Sequence, residues 1–440
     1  MVVIMSNVEP GIEVLTRGRV SARLEAFLRR PPFDRSAERT AARVLADIRE
    51  NGNRAVARWV RKFDRVPLKP AEWRIDGREL GQAERRVDAV TRGAVQSAHQ
   101  RIAAFAKAGL KKDWSMPSGR GGRLGEQFAP LDRVGVYVPG GAAPLASTAL
   151  MTATLAQVAG VPEIVACTPC GGDGRVNPVL LHALSLAGAT EVYRVGGIQA
   201  IGLMAYGTET IRKVQKIVGP GGAYVTAAKR LVYGDVALDL VAGPSEIAVL
   251  ADDSAVASHV AADLLSQAEH GTGHEKALLV TPSLALAEAV RREVGRQART
   301  LSRREAIERM IPQGLLLAVV DDLAAGMDLC NRFAPEHLEL MVRNAAAWRK
   351  RVRCAGAVFV GPWTPEAAGD YVAGPSHVLP TGGTAAMFAG LTVDDFRRRT
   401  SFVQFTQADL RATRAAIEAF GRIEGLDAHA RSAAVRFERA

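Results

Sequence analysis

Four short polar segments in the last two fifths of the chain contain residue types that bind metals and transfer protons. Together they hold four of the eight histidines, several carboxylates and a glutamine. Each segment adjoins apolar or Gly/Pro-rich sequence, where an unpaired polar side chain is costly. The set therefore favours one metal site with an acid/base pair beside it, as in a metal-assisted enzyme. The segments are residues 266–270, 335–337, 369–377 and 424–429.

Gln267 and His270 are three residues apart near the end of a predicted helix over residues 255–269. This spacing puts both side chains on one helix face, within reach of one ion. Imidazole, carboxylate and amide oxygen all suit zinc, and Asp370 and His429 could add a carboxylate and a second imidazole. A single anionic ligand leaves the ion positive enough to polarise a substrate oxygen. The alternative is a hydrogen-bonded histidine at a helix end and three unrelated polar residues.

Glu336 and His337 follow Ala334 and Pro335 at a predicted helix-to-strand turn. Adjacent Glu and His residues offer a base that works near neutral pH and a second carboxylate. An ordinary surface turn is the alternative.

Length and composition are those of a globular protein with a sizeable core. The chain has 440 residues, of which 48% are hydrophobic and 23% charged, so we expect two or three domains. No apolar run reaches the roughly 18 residues that a membrane helix needs. Residues 1–13 have no basic region before an apolar stretch, so we predict neither a signal nor a transit peptide, and a cytoplasmic protein.

The formal net charge of +11 raises the question of a nucleic-acid partner. The basic residues are dispersed over stretches of mixed charge, and aromatic residues, which stack on bases, are only 5% of the chain. We therefore predict an arginine-rich surface and no nucleic-acid partner.

The four cysteines include one Cys-x-x-Cys pair, Cys167 and Cys170. A zinc site would need a second pair, and a thioredoxin-like site would place the first cysteine at a helix start. Cys167 instead ends an apolar run, which predicts a buried structural residue.

Short apolar runs alternate with helical patterns from residue 132 onward. This βαβ succession predicts parallel sheets covered by helices, in two similar α/β halves that follow helices over 37–51 and 55–63. Predicted strands are 134–138, 163–167, 191–195, 216–218 and 236–240 in the first half, and 246–250, 277–281, 314–320, 338–342 and 357–360 in the second. Predicted helices are 147–159, 177–187, 198–205, 224–233, 255–269, 284–297, 323–331 and 407–424.

Three glycine-rich turns, residues 137–141, 195–199 and 218–222, each follow a predicted strand of the first half and precede a helix. Helix N-termini favour phosphate, and the carboxyl ends of parallel strands converge on one crevice. No G-x-G-x-x-G copy is present, so a nucleotide site and three simple tight turns both remain open.

The motif segments in their order resemble those of the histidinol dehydrogenase family over residues 39–429. The family oxidises L-histidinol to L-histidine through histidinal with two NAD⁺, as the last step of histidine synthesis. The resemblance also implies one zinc ion per subunit and an intertwined homodimer in which the tail of one chain completes the site of the other. The matching segments are residues 137–141, 219–221, 242–246, 263–270, 334–338, 369–371, 376–382 and 424–429.

The resemblance also assigns roles. The implied zinc ligands are Gln267, His270, Asp370 and His429, and the acid/base pair is Glu336 and His337. The implied substrate contacts are Ser245, Gln267, His270, His337, Asp370, His377, Glu424 and His429. The implied NAD contacts are Tyr137, Gln199 and the position occupied by Gly222, where the family usually has Asn. We expect His337 to take the hydroxyl proton and Glu336 to activate water for the second oxidation.

Relatives of the family oxidise other small polar alcohols, including sulfonated ones. Glu424 argues for histidinol, because a carboxylate attracts a cationic amine and repels a sulfonate. We expect an N-terminal extension over 1–35, a metal-binding α/β domain from 36–125 and 243–390, a nucleotide-binding α/β domain over 126–242 and a helical tail over 391–440 that reaches the partner.

Overall fold

A computed structural model describes residues 10–15, 21–29, 34–140, 144–241 and 243–438. These ranges include every predicted site residue. Gly141 and Ala242 of the motif segments, and parts of the predicted N-terminal extension, lie outside the described residues.

Fourteen strands are present in the described ranges. They are β1 Gly11–Val14, β2 Trp114–Pro117, β3 Arg123–Pro130, β4 Arg133–Tyr137, β5 Glu163–Cys167, β6 Glu191–Tyr193, β7 Lys216–Val218, β8 Ala237–Leu238, β9 Glu246–Ala251, β10 Lys276–Thr281, β11 Leu315–Val319, β12 His337–Met341, β13 Ala357–Val360 and β14 Arg397–Gln404. All ten predicted strands are confirmed.

Seventeen α-helices are present in the same ranges. They are α1 Ala22–Leu28, α2 Arg35–Phe63, α3 Pro70–Trp73, α4 Gly77–Gln82, α5 Ala89–Gly109, α6 Ala146–Ala159, α7 Pro178–Leu186, α8 Gly197–Tyr206, α9 Ala223–Val232, α10 Ala257–Ala268, α11 Leu284–Ala298, α12 Arg304–Gly314, α13 Leu323–Phe333, α14 Ala345–Arg349, α15 Glu366–Tyr371, α16 Gln407–Ile423 and α17 Asp427–Ala434.

Two parallel sheets form the centre of the fold. The order of the five-stranded sheet is β6-β5-β4-β7-β8, and that of the six-stranded sheet is β1-β11-β10-β9-β12-β13. If the strands of each half are renumbered 1 to 5 along the chain, starting from β4 and from β9, both sheets have the doubly wound order 3-2-1-4-5. Strand β1 is added at one edge of the larger sheet. The two predicted α/β halves are therefore confirmed. Strands such as β4 and β9 are buried along their whole length, which explains their continuous apolar runs.

Local departures from the prediction have physical causes. The two helices predicted before residue 64 form one helix, α2, with a kink at Gly52, whose φ is +50°. The N-terminal segment contains a strand, β1, as well as helix α1, and β1 runs parallel to β11. The sequence did not predict β1, because its four residues are too few to show a strand pattern. The arginine-rich strand β14 is mostly exposed, so it carries no apolar alternation, yet it pairs antiparallel with β3.

Residues 118–122 form the turn of the β2–β3 hairpin. The turn is held by the side chain of Asp409, which accepts hydrogen bonds from the backbone N–H groups of Arg120 and Gly122, each at 3.0 Å.

Helices α2 and α5 pack on the helices that cover the five-stranded sheet. Helix α2 lies on α8 and α9, and α5 lies on α6 and α7. Residues of these helices share two apolar cores with β4, β5 and their neighbours. The domain prediction grouped 36–125 with 243–390, whereas in the structure α2 and α5 share their cores with the 126–242 half.

A membrane-spanning helix would have to be long and continuously apolar. None of the helices in the described ranges meets both requirements.

Candidate active site

The candidate site lies in a crevice between the two halves. Its residues gather at the amino-terminal ends of β9 and β12, which are neighbours in the six-stranded sheet. Opposite them lies α6, which begins beyond the carboxyl end of β4. His377 connects the two halves, because its Nε2 is 3.2 Å from the hydroxyl of Thr148 on α6. Ligands of α/β proteins usually bind at carboxyl ends of strands, and here only the five-stranded sheet offers those ends to the crevice.

Glu336 is a buried carboxyl group at the start of β12. Its Oε2 accepts a 3.1 Å hydrogen bond from the backbone N–H of Glu246. Burial raises the pKa of Glu336 well above its usual range, and nearby Asp370, Glu246 and Glu366 add to the rise. A raised pKa makes this carboxyl group easier to protonate than an exposed glutamate.

His337 is buried, and neither ring nitrogen has a hydrogen-bond partner among the described residues. Its Nε2 lies 3.7 Å from Asp370 Oδ1 and 3.9 Å from Glu366 Oε1, and its Nδ1 lies 3.9 Å from Glu336 Oε2. Burial lowers the pKa of His337 to about 4. The ring is therefore neutral at pH 7 and keeps a lone pair for a substrate proton.

Gln267 lies in the last turn of α10, and His270 lies in the turn that follows the helix. The Nε2 of Gln267 donates a 2.7 Å hydrogen bond to Glu366, whereas its buried Oε1 has no partner within the described part of the chain. The Nδ1 of His270 donates to the carbonyl oxygen of Gln267 at 3.2 Å. Nε2 then carries the ring's lone pair.

Asp370 lies on α15 and is partly exposed to the crevice. Burial raises the pKa of Asp370, and its neighbours Glu366 and His270 oppose the rise. Within the described ranges, the ligand atoms of Asp370, His337 and Glu366 form one group in which all distances are below 4.8 Å. An orphaned amide oxygen, a free imidazole nitrogen and a carboxylate fit a zinc ion.

His429 and Glu424, the remaining predicted ligand and substrate contact, lie on the tail and are exposed to solvent in the single chain. His429 belongs to α17, which packs on α16, and Glu424 follows α16 directly. The ligand group that contains Asp370 includes neither His429 nor His270. His270 is still close enough to Asp370 to lower the pKa of that carboxyl group, whereas neither tail residue acts on it.

Ser245 and His377, the other predicted substrate contacts, border the crevice. Ser245 immediately precedes β9 and is partly exposed. His377 donates from Nδ1 to the carbonyl oxygen of Asp370 at 3.0 Å, so both of its nitrogens have partners in this structure. Burial lowers the pKa of His377 to about 4.

The glycine-rich turns follow β4, β6 and β7 and lead into α6, α8 and α9, as expected. Tyr137 is buried, and its hydroxyl accepts a 3.1 Å hydrogen bond from the N–H of Gly197. Gln199 donates to Asp64, and its buried Oε1 has no partner in the ranges described. Gly222 is exposed at the start of α9.

The sequence analysis missed four buried acidic residues around this site. Glu366 and Asp370 are four apart after Pro365, a spacing that places two carboxylates on one helix face. Strand alternation places Glu339 on the same face as His337. Asp263 is one turn before Gln267 on α10, and Glu246 begins β9. These three spacings were readable from the sequence, whereas the burial of Glu246, Asp263, Glu339 and Glu366 required the tertiary structure.

Two doubly wound halves that face each other across a buried acid/base pair, with glycine-rich turns on one side, define a nucleotide-dependent dehydrogenase. The family model for histidinol dehydrogenase matches residues 29–437. Histidinol dehydrogenase of Heliobacterium mobile is 45% identical over 90% of this chain and 93% of its own. That of Moorella thermoacetica is 46% identical over 91% and 95%.

The solved structures agree. The crystal structure of histidinol dehydrogenase from Elizabethkingia anophelis superposes with a TM-score of 0.92 at 34% identity, covering 97% of this chain and 98% of that one. The chain belongs to the histidinol dehydrogenase family, which confirms the resemblance seen in its motifs.

Proposed function

We propose that this protein oxidises L-histidinol to L-histidine through histidinal, with NAD⁺ as oxidant and one zinc ion per subunit, in a cytoplasmic homodimer. The observation that carries the proposal is the buried pair Glu336 and His337, together with the buried Oε1 of Gln267, which has no partner among the described residues. Membership of the histidinol dehydrogenase family supports the choice of substrate.

Gln267, His270 and Asp370 would hold zinc, together with His429 from a tail. Bound zinc supplies Lewis-acid polarisation of the alcohol oxygen, and bound NAD⁺ supplies the hydride acceptor. Tyr137, Gln199 and Gly222 would line the nucleotide site. The unpartnered Oε1 of Gln199 supports this, because a buried acceptor without a donor marks a place for a ligand group.

His337 would take the hydroxyl proton in the first oxidation. Its neutral ring and free lone pair suit a base, and the carboxylate of Asp370, 3.7 Å from Nε2, would stabilise the imidazolium that forms. Glu336 would take a proton from the water that adds to the aldehyde. Its raised pKa favours a carboxyl group that passes protons during turnover.

The tail supports a shared site. Glu424 and His429 are exposed in the single chain, and so are apolar residues beside them, with Phe420 62% and Ile423 78% exposed. Large apolar side chains that face water on a small helical segment indicate a binding surface. Ser245, His377 and a partner's Glu424 and His429 would then enclose the substrate, with Glu424 attracting its cationic amine.

The decisive experiment measures NADH formation by the purified zinc-loaded protein. We expect two NADH per L-histidinol, formation of L-histidine, and little turnover of an amino alcohol without imidazole or of the sulfonated alcohol isethionate. Faster turnover of isethionate would instead support the alternative, a related dehydrogenase of sulfo alcohols. Release of one NADH per histidinol would contradict the four-electron reaction.

A further inference from the structure

Three buried carboxyl groups outside the predicted site connect the elements that carry its ligands and base. Asp263 lies on α10, Glu339 on β12 and Glu366 in the first turn of α15. None of the three is more than 9% exposed. Unpaired buried carboxylates are expensive, so their contacts show what they do for the fold.

Both carboxyl oxygens of Glu366 accept hydrogen bonds from residues of α10. Oε1 accepts the 2.7 Å hydrogen bond from Nε2 of Gln267, and Oε2 accepts a 2.7 Å hydrogen bond from the hydroxyl of Ser266. A carboxylate only accepts hydrogen bonds, so it selects one of the two orientations of the Gln267 amide. The NH₂ group must face Glu366, which leaves the buried oxygen on the other side without a partner among the described residues. In the reverse orientation that side would have two N–H donors and no lone pair for a metal.

Glu339 holds Glu366 in place. Its Oε1 accepts a 2.8 Å hydrogen bond from the backbone N–H of Glu366, and Pro365 provides no side-chain cap for α15. Glu339 therefore stands in for the missing cap. The carboxyl group of Asp263 lies close to that of Glu339, whose pKa is raised first by burial and next by Asp263. These contacts join α10, β12 and α15, which carry Gln267, the base and the carboxylate ligand.

We propose that Glu366 is a positioning residue of the zinc site, which orients the amide of Gln267 so that its oxygen can bind the metal. The inference rests on the proposed zinc site and concerns a residue that the motifs did not single out. A carboxyl oxygen of Glu366 also lies within 4.8 Å of ligand atoms of His337 and Asp370. Direct coordination of zinc by Glu366 is therefore the competing role. Each oxygen of Glu366 accepts one hydrogen bond, from Gln267 or from Ser266, and keeps a second lone pair, so the zinc affinities of variants must decide between the two roles.

The test compares two neutral substitutions, Glu366→Gln and Glu366→Leu, through the zinc dissociation constant measured by chelator competition. Both remove the charge, but only the glutamine keeps an acceptor for Gln267. We expect Glu366→Gln to stay within about threefold of wild type, and Glu366→Leu to bind zinc about 10- to 100-fold more weakly. Ser266→Ala is the matched control, because it removes the other hydrogen bond of Glu366 and should cost no more than about threefold.

A double-mutant cycle makes the test specific to Gln267. In a Gln267→Met background, Glu366→Leu should cause little further loss of zinc affinity, since there is no amide left to orient. Circular dichroism and thermal unfolding check the fold, and Glu366→Ala replaces the leucine variant if that one does not fold. Equal losses for the glutamine and leucine variants would overturn the proposal, and so would additive losses in the cycle or wild-type affinity in both variants.

Zinc affinity separates this inference from the proposed reaction. A wild-type chain that binds zinc but does not oxidise L-histidinol would refute the proposed substrate. The zinc affinities of the Glu366 variants would still test the role of Glu366. A wild-type chain that binds no zinc would refute both.

Discussion

Asp409, in the first turn of tail helix α16, accepts a 2.6 Å hydrogen bond from the hydroxyl of Ser118 in the β2–β3 turn. Asp409 is buried, and hydrogen bonds lower its pKa, that from Ser118 first and that from Thr406 next. The root of the tail is therefore fixed to its own chain, whereas Glu424 and His429 at the far end are exposed. Such a fixed root with an exposed end suits an arm that reaches a second subunit.

We predict that His270→Ala and His429→Ala each abolish zinc binding and activity while the protein stays folded, because each removes one of the proposed imidazole ligands. Joint refolding of the two inactive variants should restore about a quarter of wild-type activity, since half of the dimers are mixed and each has one intact site. Refolding either variant alone is the control. Mixed dimers without activity would show that each chain completes its own site.

Glu336→Gln should slow the oxidation of histidinal more than that of histidinol. Only the second oxidation needs a water molecule to be added, and a neutral amide cannot take its proton. Rates measured separately with the two substrates test this. His337→Asn is the comparison, and it should slow the alcohol step. Equal losses on both substrates in Glu336→Gln would contradict the assigned role.

The cysteines should be dispensable for catalysis. Cys167 and Cys330 are buried, and burial raises the pKa of both thiols, that of Cys330 to about 12. Such thiols are poor nucleophiles at neutral pH. Replacement of all four cysteines by Ala or Ser should keep turnover within about tenfold, or 1.4 kcal/mol in the barrier. A loss of several orders of magnitude in a folded, zinc-loaded variant would favour a thiol mechanism.

Gly222→Asn should strengthen NAD⁺ binding. An added Cβ at Gly222 meets no atom within 4 Å among the described residues, and its φ of −69° is open to any residue. One new hydrogen bond is worth about 1 kcal/mol, so the KM for NAD⁺ should fall about fivefold. Gly221→Asn is the contrast, because its Cβ would lie 2.4 Å from Val225 and should lower the thermal stability. An unchanged KM in a folded Gly222→Asn protein would refute the expected contact.

The sequence predicted the two sheets well because their strands are buried and read as continuous apolar runs, as in β5 and β7. It missed β14, which is exposed and whose pairing with β3 depends on a distant segment. In the site, the three-residue spacing predicted Gln267 and His270 on one helix face, whereas α10 ends at Ala268 and His270 lies in the turn that follows. Their role as zinc ligands stays a prediction. Glu366 was missed because its importance depends on burial against α10, which no local pattern records.

The last prediction concerns stability at acid pH. Arg133, Glu163 and Glu191 begin the adjacent strands β4, β5 and β6, and the guanidinium of Arg133 binds Glu191 through two hydrogen bonds of 2.7 and 3.0 Å. Arg133 lowers the pKa of Glu191 to about 2, with a further hydrogen bond from Tyr193. A carboxyl group with a lowered folded-state pKa stabilises the fold above its unfolded value and loses that contribution as the pH falls.

Glu191→Gln should therefore lower the free energy of unfolding by about 1–2 kcal/mol at pH 7, a range reduced for solvent screening of this partly exposed pair. The difference from wild type should shrink as the pH falls from about 4.5 towards 2, where the wild-type carboxylate also becomes protonated. Denaturant unfolding of both proteins at pH 7, 4 and 3 measures this. Glu293→Gln, which removes a carboxylate paired with Arg296 on the surface, is the control and should show a much smaller effect. A difference that stays constant over this pH range would mean that Glu191 stabilises the sheet by packing and not by its charge.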